Sequence, residues 1–321
     1  MNTSAKPFRV EWRRSEVNST FIASLTKSDR AAWIQTCGHI FLFALTGGGV
    51  ILTAESQLWP AFAAALIAHG VVASFLTNGI HELSHGTVFE SAGLSRLFLN
   101  VFCYIRWINP HAFWAGHSRH HRYTLYPPYD REVVLPAQLS LIDFLRRALI
   151  DPLTMIERVR LHVEYACGIF RSDWDREILQ LGPASSKVAQ WSRGMLLAHG
   201  LAAAVLLSAG AWPAFVAISL TPAYGGFLFY LCNNTQHAGM KSQTPDFRES
   251  CRTIYLSPAL EFLYWRMNYH AEHHMYPNVP CYRLRSLHDA VRGDLPPATR
   301  GLVEAWRAIA ASAHPAASNS Q

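Results

Sequence analysis

The chain alternates between long uncharged stretches and shorter stretches that hold all of its cationic residues. No charged side chain occurs over residues 31–54 or 61–80, and the short link between them contains Trp59 and Pro60. About 20 helical residues cross a hydrocarbon core of roughly 30 Å. A Trp and a Pro in so short a link favour a tight turn with an aromatic anchor. Residues 31–54 and 61–80 are therefore predicted to form a hairpin of two membrane-spanning helices.

The same pattern returns in the second half of the chain. Residues 194–211 and 213–231 are uncharged, and Lys and Arg are absent from 194 to 240. The Trp212–Pro213 step is the predicted turn of a second hairpin. A pair of very apolar, buried core helices is the alternative. The favoured fold class is an all-α integral membrane protein with four transmembrane helices in two hairpins.

Cationic residues predict which side of the membrane each segment occupies. Neither hairpin tip holds Lys or Arg, whereas six cations precede the first span: Lys6, Arg9, Arg13, Arg14, Lys27 and Arg30. Because cytoplasmic segments carry the excess of Lys and Arg, both termini and the middle region are expected on the cytoplasmic side. Within that region, 94–105 and 139–163 have apolar residues at helical spacing and are predicted to be helices on the membrane face.

Composition excludes several classes of protein. Among the 321 residues, 50% are hydrophobic and 16% charged, and the six cysteines include no CxxC pair. Such cysteine spacing argues against a disulfide scaffold and a zinc ribbon. The net charge of +6 comes from residues that flank apolar stretches, not from one basic stripe with interleaved aromatics. A membrane surface is therefore favoured over nucleic acid.

Half of the 16 histidines fall into three short motifs, HELSH, HSRHH and HAEHH. They are His81, His85, His117, His120, His121, His270, His273 and His274. Residues at i, i+3 and i+4 share one face of a helix, so neighbouring imidazoles can converge on a metal ion. The predicted topology places all three motifs on the same side of the membrane.

A fourth contribution comes from NNTQH, where Asn233 and His237 are four residues apart near the end of the last predicted span. With His237 the chain offers nine imidazoles, more than one tetrahedral zinc ion can use. Two metal ions are the economical explanation. Imidazole suits Fe, Zn, Cu and Ni, so the ligand type alone does not name the metal.

These motifs together with the two hairpins resemble the membrane-bound fatty acid desaturase and hydroxylase superfamily over residues 31–290. The resemblance implies four spans beneath a cytoplasmic helical cap that holds a di-iron centre activating O2. By position, the implied ligands are His81, His85, His117, His120, His121, His237, His270, His273 and His274, with Asn233 acting through a water. HELSH has three residues between its histidines, which is more similar to the bacterial, plant-type and sphingolipid branches.

The predicted organisation has a cytoplasmic segment over 1–30, the membrane domain over 31–290 and a tail over 291–321. Four carboxylates near the motifs are candidates for orienting the imidazoles. Asp130 and Glu272 are favoured over Glu82 and Asp289 as the partners of the imidazoles.

The function implied by the resemblance is the O2-dependent introduction of a double bond into a lipid acyl chain. Alternatives are a hydroxylase of the same superfamily acting on a lipid head group, a carotenoid or a small non-acyl molecule, a haem-binding membrane protein, and a zinc-dependent membrane hydrolase. Electrons must come from an external ferredoxin or cytochrome b5-like donor, since no CxxC or GxGxxG motif is present. Arginines of the cap, such as Arg119, Arg122 and Arg131, could dock an acidic donor or anchor anionic lipid.

Overall fold

A computed structural model describes residues 8–135, 141–180 and 183–313 of the chain, and these residues are mostly helical. Among them, two helices are long and apolar enough to cross a membrane, Asp29–Glu55 and Trp59–Ser84. They coincide with the first predicted hairpin. The termini 1–7 and 314–321 of the predicted N-terminal segment and C-terminal tail lie outside the described residues.

The first hairpin follows from capping and apolar composition. After a short helix α1 (Ser19–Ser24), helix α2 (Asp29–Glu55) begins where the Ser28 side chain accepts a hydrogen bond from the Ala31 N–H. Helix α3 (Trp59–Ser74) starts with Pro60 in its first turn and continues almost directly into α4 (Leu76–Ser84). The HELSH motif thus extends the second span, as predicted.

The middle region begins with two helices that pack beside α4. Helix α5 (Ala92–Arg106) starts at the Ser91 cap, and α6 (Pro110–Tyr123) starts at Asn109. Asn109 caps α6 with its side-chain oxygen, while its Nδ2 donates to Val188 O and Ser192 Oγ at 2.9 and 3.0 Å. One side chain therefore fixes α6 against a helix almost 80 positions further along.

Three helices and one π-turn complete the middle region: α7 (Leu141–Ala148), α8 (Pro152–Ala166), α9 (Asp173–Asp175) and the turn Arg176–Gln180. The predicted helix over 139–163 is thus two helices, because Pro152 starts a new one. Seven large apolar side chains along them are exposed: Leu141, Ile142, Leu145, Leu149, Ile150, Leu153 and Ile156. An apolar face of this kind is typical of helices that lie on a membrane.

The second predicted hairpin differs from expectation in its second half. Helix α10 (Pro183–Ser208) contains most of the third predicted span. The prediction of one continuous helix over 213–231 is wrong. The segment instead forms α11 (Trp212–Ser219), a 3₁₀ turn (Thr221–Ala223) and α12 (Phe227–Asn233). Pro222 cannot donate the helical backbone hydrogen bond, and Gly225 has a φ of 66°, so the helix breaks here.

The C-terminal part packs over the end of the first hairpin that carries α4. Its elements are α13 (Phe247–Ser250), β1 (Ile254–Tyr255), α14 (Pro258–Leu263), α15 (His270–Met275), a 3₁₀ turn (Cys281–Arg283), α16 (Leu284–Val291), β2 (Thr299–Arg300) and α17 (Gly301–Ala313). Strands β1 and β2 pair in parallel, with Ile254 opposite Thr299. The largest apolar core lies where this part meets α4 and α5, and it includes Phe75, Ile80 and Phe102.

A buried contact ties α15 to the first hairpin. Trp265 and Arg266 both have left-handed backbone conformations, which reverse the chain between α14 and α15. The fully buried Trp265 donates Nε1–H to His39 Nδ1 at 2.8 Å, and His39 donates Nε2–H to Val72 O at 2.9 Å. This chain of hydrogen bonds sets the position of the helix that carries HAEHH.

Replacing Gly70 with alanine should destabilise the protein, because its α3 backbone lies against the break in the second hairpin. A Cβ at Gly70 would lie 2.4 Å from Tyr224 O and 2.8 Å from Gly225 Cα, which is too close for either backbone to remain in place. We expect a loss of about 1–3 kcal/mol, measured by thermal unfolding in detergent. Gly48→Ala is the control, since nothing lies within 4 Å of its Cβ. Equal stability of the two variants would contradict the close contact.

Candidate metal centre

Nine histidines converge from four parts of the chain. His81 lies on α4 and His85 ends that helix, whereas three histidines lie on α6 and three on α15. His237 lies in a turn after α12, four residues beyond Asn233, and not on the continued helix that its spacing predicted. The centre therefore depends on the packing of distant segments.

The nine side chains form two adjacent groups. One contains five ligand atoms, from His81, His85, His117, His121 and His273, and the other contains four, from His120, His237, His270 and His274. Within each group these atoms lie within 4.8 Å of one another. The rings of His121 and His274 stack across the two groups with centroids 4.3 Å apart. The arrangement suits two ions held side by side.

Hydrogen bonds to the Nδ1 atoms assign the tautomers of five rings. His117 and His120 donate Nδ1–H to Glu132 and Asp130, at 3.1 and 2.9 Å, and His81 donates to Glu82 at 2.9 Å. Two further rings donate to backbone and hydroxyl oxygens: His237 to Ser250 O and His274 to Thr124 Oγ1. Because an unprotonated Nε2 remains on each neutral ring, five lone pairs face the centre.

The close approach of Nε2 atoms tests whether a metal fits. His270 Nε2 lies 2.9 Å from His237 Nε2 and 3.1 Å from His274 Nε2, both of which carry lone pairs. One N–H cannot satisfy both neighbours. In the other group, His117 Nε2 lies 3.1 Å from the Nε2 atoms of His85 and His121, and His81 Nε2 is buried without a hydrogen-bond partner. Cations bound between these atoms would satisfy them, so the residues fit a pair of metal ions.

Burial favours the uncharged form that metal binding needs. It lowers the pKa of His270, His273 and His274 well below the usual value and that of His237 to about 3. His120 is the exception. Burial lowers its pKa, but the Glu132 and Asp130 carboxylates outweigh burial and raise that pKa above the usual value.

The four candidate carboxylates have different surroundings. The Asp130 carboxylate accepts hydrogen bonds from His120 Nδ1 and from the backbone N–H groups of Leu125 and Glu132, at 2.9 Å each. Glu82, expected to matter less, is fully buried and lies 2.9 Å from His81 Nδ1 and 3.5 Å from His273 Nδ1.

The other two candidate carboxylates, Glu272 and Asp289, form no described hydrogen bond or ion pair with any of the nine histidines. Glu272 is hydrogen-bonded to His288 and Thr253, and the exposed Asp289 lies 4.0 Å from Arg292. Glu132, which the sequence reasoning missed, holds His117. Its place two residues after Asp130 was the available signal. Asn233 is half-buried at the end of α12, and its role through a water stays a prediction.

Three histidines inside the apolar helices form hydrogen bonds within the protein through both ring nitrogens. His39 bonds Val72 and Trp265, His69 bonds Thr46 and Ala217, and His199 bonds Ser219 and Tyr104. Both ring nitrogens of each are engaged. Axial ligation of a haem by any of them would break a buried hydrogen bond.

Two long apolar helices and a histidine-rich centre define a helical, membrane-associated class of protein. A family model described as Fatty acid desaturase matches residues 57–306, which is most of the chain. The protein therefore belongs to the fatty acid desaturase family, and the resemblance seen in the sequence is confirmed. Family membership implies an oxidoreductase of the desaturase and hydroxylase type. None of the curated proteins compared matches the chain.

Asp130→Asn should weaken metal binding at the group of four. The amide cannot stabilise the His120 ring as the carboxylate does, so we expect about 10–100-fold weaker binding of one ion. Metal competition with a coloured chelator measures it. Glu132→Gln is the comparison. It should weaken metal binding at the group of five, and by a smaller factor, because the Glu132 side chain is 36% exposed. Unchanged affinity in Asp130→Asn would contradict the role of Asp130.

Proposed function

We propose that the protein is an O2-dependent oxidoreductase that binds two iron ions and introduces a double bond into a lipid acyl chain. The observation that carries the proposal is the division of nine imidazoles, six of them buried and three half-buried, into groups of five and four. A single-zinc hydrolase would leave at least five of them without a use. Membership of the desaturase family favours iron over the other metals that imidazole suits.

The residues around the centre orient the imidazole rings and exclude water. Bound iron would supply the redox chemistry that activates O2 toward an unactivated C–H bond. Asp130, Glu82 and Glu132 hold the imidazoles in the tautomer that presents Nε2. His270, His273 and His274 are each at most 2% exposed, so α15 screens its side of the centre from bulk water.

The exposed apolar surface supports a substrate from the bilayer. On α10, Leu197, Leu201 and Val205 recur every fourth residue and are exposed, which forms an apolar stripe suited to lipid. α2 has a similar surface at Phe41 and Leu45. We propose that both hairpins cross the membrane despite the break after α11, with the metal centre and the termini on the cytoplasmic side.

Each turnover needs two electrons from outside the chain. We propose a ferredoxin or cytochrome b5-like donor, because the sequence holds neither a CxxC iron site nor a GxGxxG nucleotide motif. With two electrons from the donor, two protons from water and two hydrogens from the acyl chain, O2 is reduced to two waters.

Expression in a host with a defined lipid pool tests the proposal. Mass spectrometry of the lipids should reveal acyl chains that have lost two hydrogens, and purified protein should contain two irons per chain. The His120→Ala variant is the control and should form no product. A gain of one oxygen without loss of hydrogens would instead identify a hydroxylase, and a single metal per chain would overturn the di-iron centre.

A further inference from the structure

A cavity of about 470 Å³ lies where α10 meets α5 and α6. Five of its lining residues come from α10 and recur at helical spacing, which places them on one face of that helix. They are Lys187, Gln190, Trp191, Gly194 and Met195. Tyr104 of α5 and His111 of α6 complete the lining. Nothing lies within 4 Å of the position that a Cβ would take at Gly194, so this glycine keeps the cavity open.

Two hydrogen-bond donors of the cavity lack an acceptor. Lys187 is exposed and forms no ion pair with another residue of the described chain. The Nε1 atom of Trp191 is buried without a hydrogen-bond partner. Burial and the nearby Lys187 ammonium both lower the pKa of the His111 imidazole, which leaves Lys187 as the one fixed charge of the cavity. One cation beside neutral N–H donors suits a ligand group with a single negative charge.

The cavity lies where the cationic part of α10 ends and its apolar part begins. Lys187 lies in the cavity, whereas residues 194–240 contain no Lys or Arg. Beyond Gly194 the same face of α10 continues with three exposed apolar side chains, those of Leu197, Leu201 and Val205. A Trp between a cationic and an apolar stretch is typical of a membrane–water interface. A ligand with an anionic head and a long apolar tail therefore matches both parts of this face.

The acidic residues that the cavity lacks determine which head group fits. None of the described residues that line it is acidic. The choline or ammonium group of a zwitterionic lipid would lie near Lys187 without a counter-ion, and like charges at close range repel. The head group of phosphatidylglycerol has one phosphodiester charge and two hydroxyls, to which the exposed Gln190 amide can hydrogen-bond. The lining thus favours an anionic phospholipid.

We propose that this cavity binds the phosphodiester head group of an anionic phospholipid, whose acyl chains lie along Leu197, Leu201 and Val205. Lys187 pairs with the phosphate, and Trp191 donates its Nε1–H to it. The proposal rests on the membrane placement of the second hairpin that is part of the proposed function, and not on the reaction. Because the cavity joins α10 to the start of α6, the bound lipid should stabilise the folded chain.

Native mass spectrometry of the full chain in neutral detergent tests the site. Dioleoyl-phosphatidylglycerol should bind at one saturable site per chain, about tenfold more tightly than the matching phosphatidylcholine. Lys187→Gln should weaken this binding about tenfold or more, and Trp191→Phe, which removes the N–H but keeps a ring, about threefold. Lys27→Gln is the control. Lys27 is an exposed lysine just before the first span, outside the cavity, and its variant should bind as the wild type does.

Filling the cavity gives an independent test. In Gly194→Leu the new side chain occupies the space of the head group, so added phosphatidylglycerol should no longer raise the unfolding midpoint. Gly200→Leu is the matched control, because nothing lies within 4 Å of its Cβ either and it lies six residues further on, on another side of α10. Its midpoint should rise with the lipid as that of the wild type does. Without lipid, the two variants should unfold at similar temperatures.

Four results would overturn the site. They are equal binding of phosphatidylcholine, equal weakening in Lys27→Gln and Lys187→Gln, stabilisation by phosphatidylglycerol in Gly194→Leu, and displacement of the lipid by inorganic phosphate, which would identify a site for free phosphate. Lipid binding is measured without turnover. A chain that binds phosphatidylglycerol as described but forms no unsaturated product would therefore contradict the proposed reaction and not this site.

Discussion

The His270→Ala variant is expected to lose one of the two metal ions proposed for the centre, whereas His85→Ala should keep both. His270 belongs to the group of four, so its removal leaves three imidazoles, while the group of five still has four without His85. Loss of an outer partner alone costs about 10–100-fold in metal affinity or activity. We therefore expect product formation in His270→Ala to fall more than about 100-fold. Metal per chain by mass spectrometry and lipid product analysis measure both effects.

His111→Ala is the matched control for these variants. His111 is an exposed histidine of α6 that lies outside both groups, and we expect its substitution to leave two ions in place. Two ions retained in His270→Ala, or equal metal loss in His85→Ala, would show that the two groups do not act as separate sites.

Removal of both metal ions should destabilise the whole protein. Without cations, Nε2 lone pairs remain buried within about 3 Å of one another in both groups. An ion that binds only the folded chain, at a thousandfold excess over its Kd, contributes about 4 kcal/mol. For two such sites we expect the unfolding midpoint to fall on the order of 10 °C.

Thermal unfolding before and after chelation measures this effect, and iron returned after chelation should restore the midpoint. In His270→Ala the shift should be roughly half as large, since one site is already lost. A midpoint that chelation leaves unchanged would mean that the imidazoles are stable together without metal.

The sequence predicted most of the helices and the grouping of histidines on one face of a helix, because both follow from spacing along one helix. Residues 31–54 lack charge and have the length of a span, and α2 occupies them. HSRHH places three imidazoles on one side of α6. The division into groups was not predictable, since His120 and His121 are neighbours in sequence yet belong to different groups. Successive helical residues point about 100° apart, and only tertiary packing decides which neighbours each one meets.

The break in the second hairpin was harder to predict because apolar composition outweighed two local signals. Pro222 and the Gly225–Gly226 pair both interrupt helices, but membrane helices tolerate such residues more often than soluble ones. The deciding interaction is the close contact of Gly70 with Tyr224, which joins residues about 150 positions apart. Glu132 was missed for a similar reason, since it reaches His117 from a loop 15 residues away.

The spread of the ligands along the chain also determines when the centre can form during synthesis. His81 emerges from the ribosome long before His274, and the group of four is complete only when α15 has been translated. Nascent chains that end before residue 270 hold one ligand of that group on α6 and one in the turn after α12. The group of four can therefore take up metal only after α15 has been translated, so this site matures after the first hairpin and the middle region have already been synthesised.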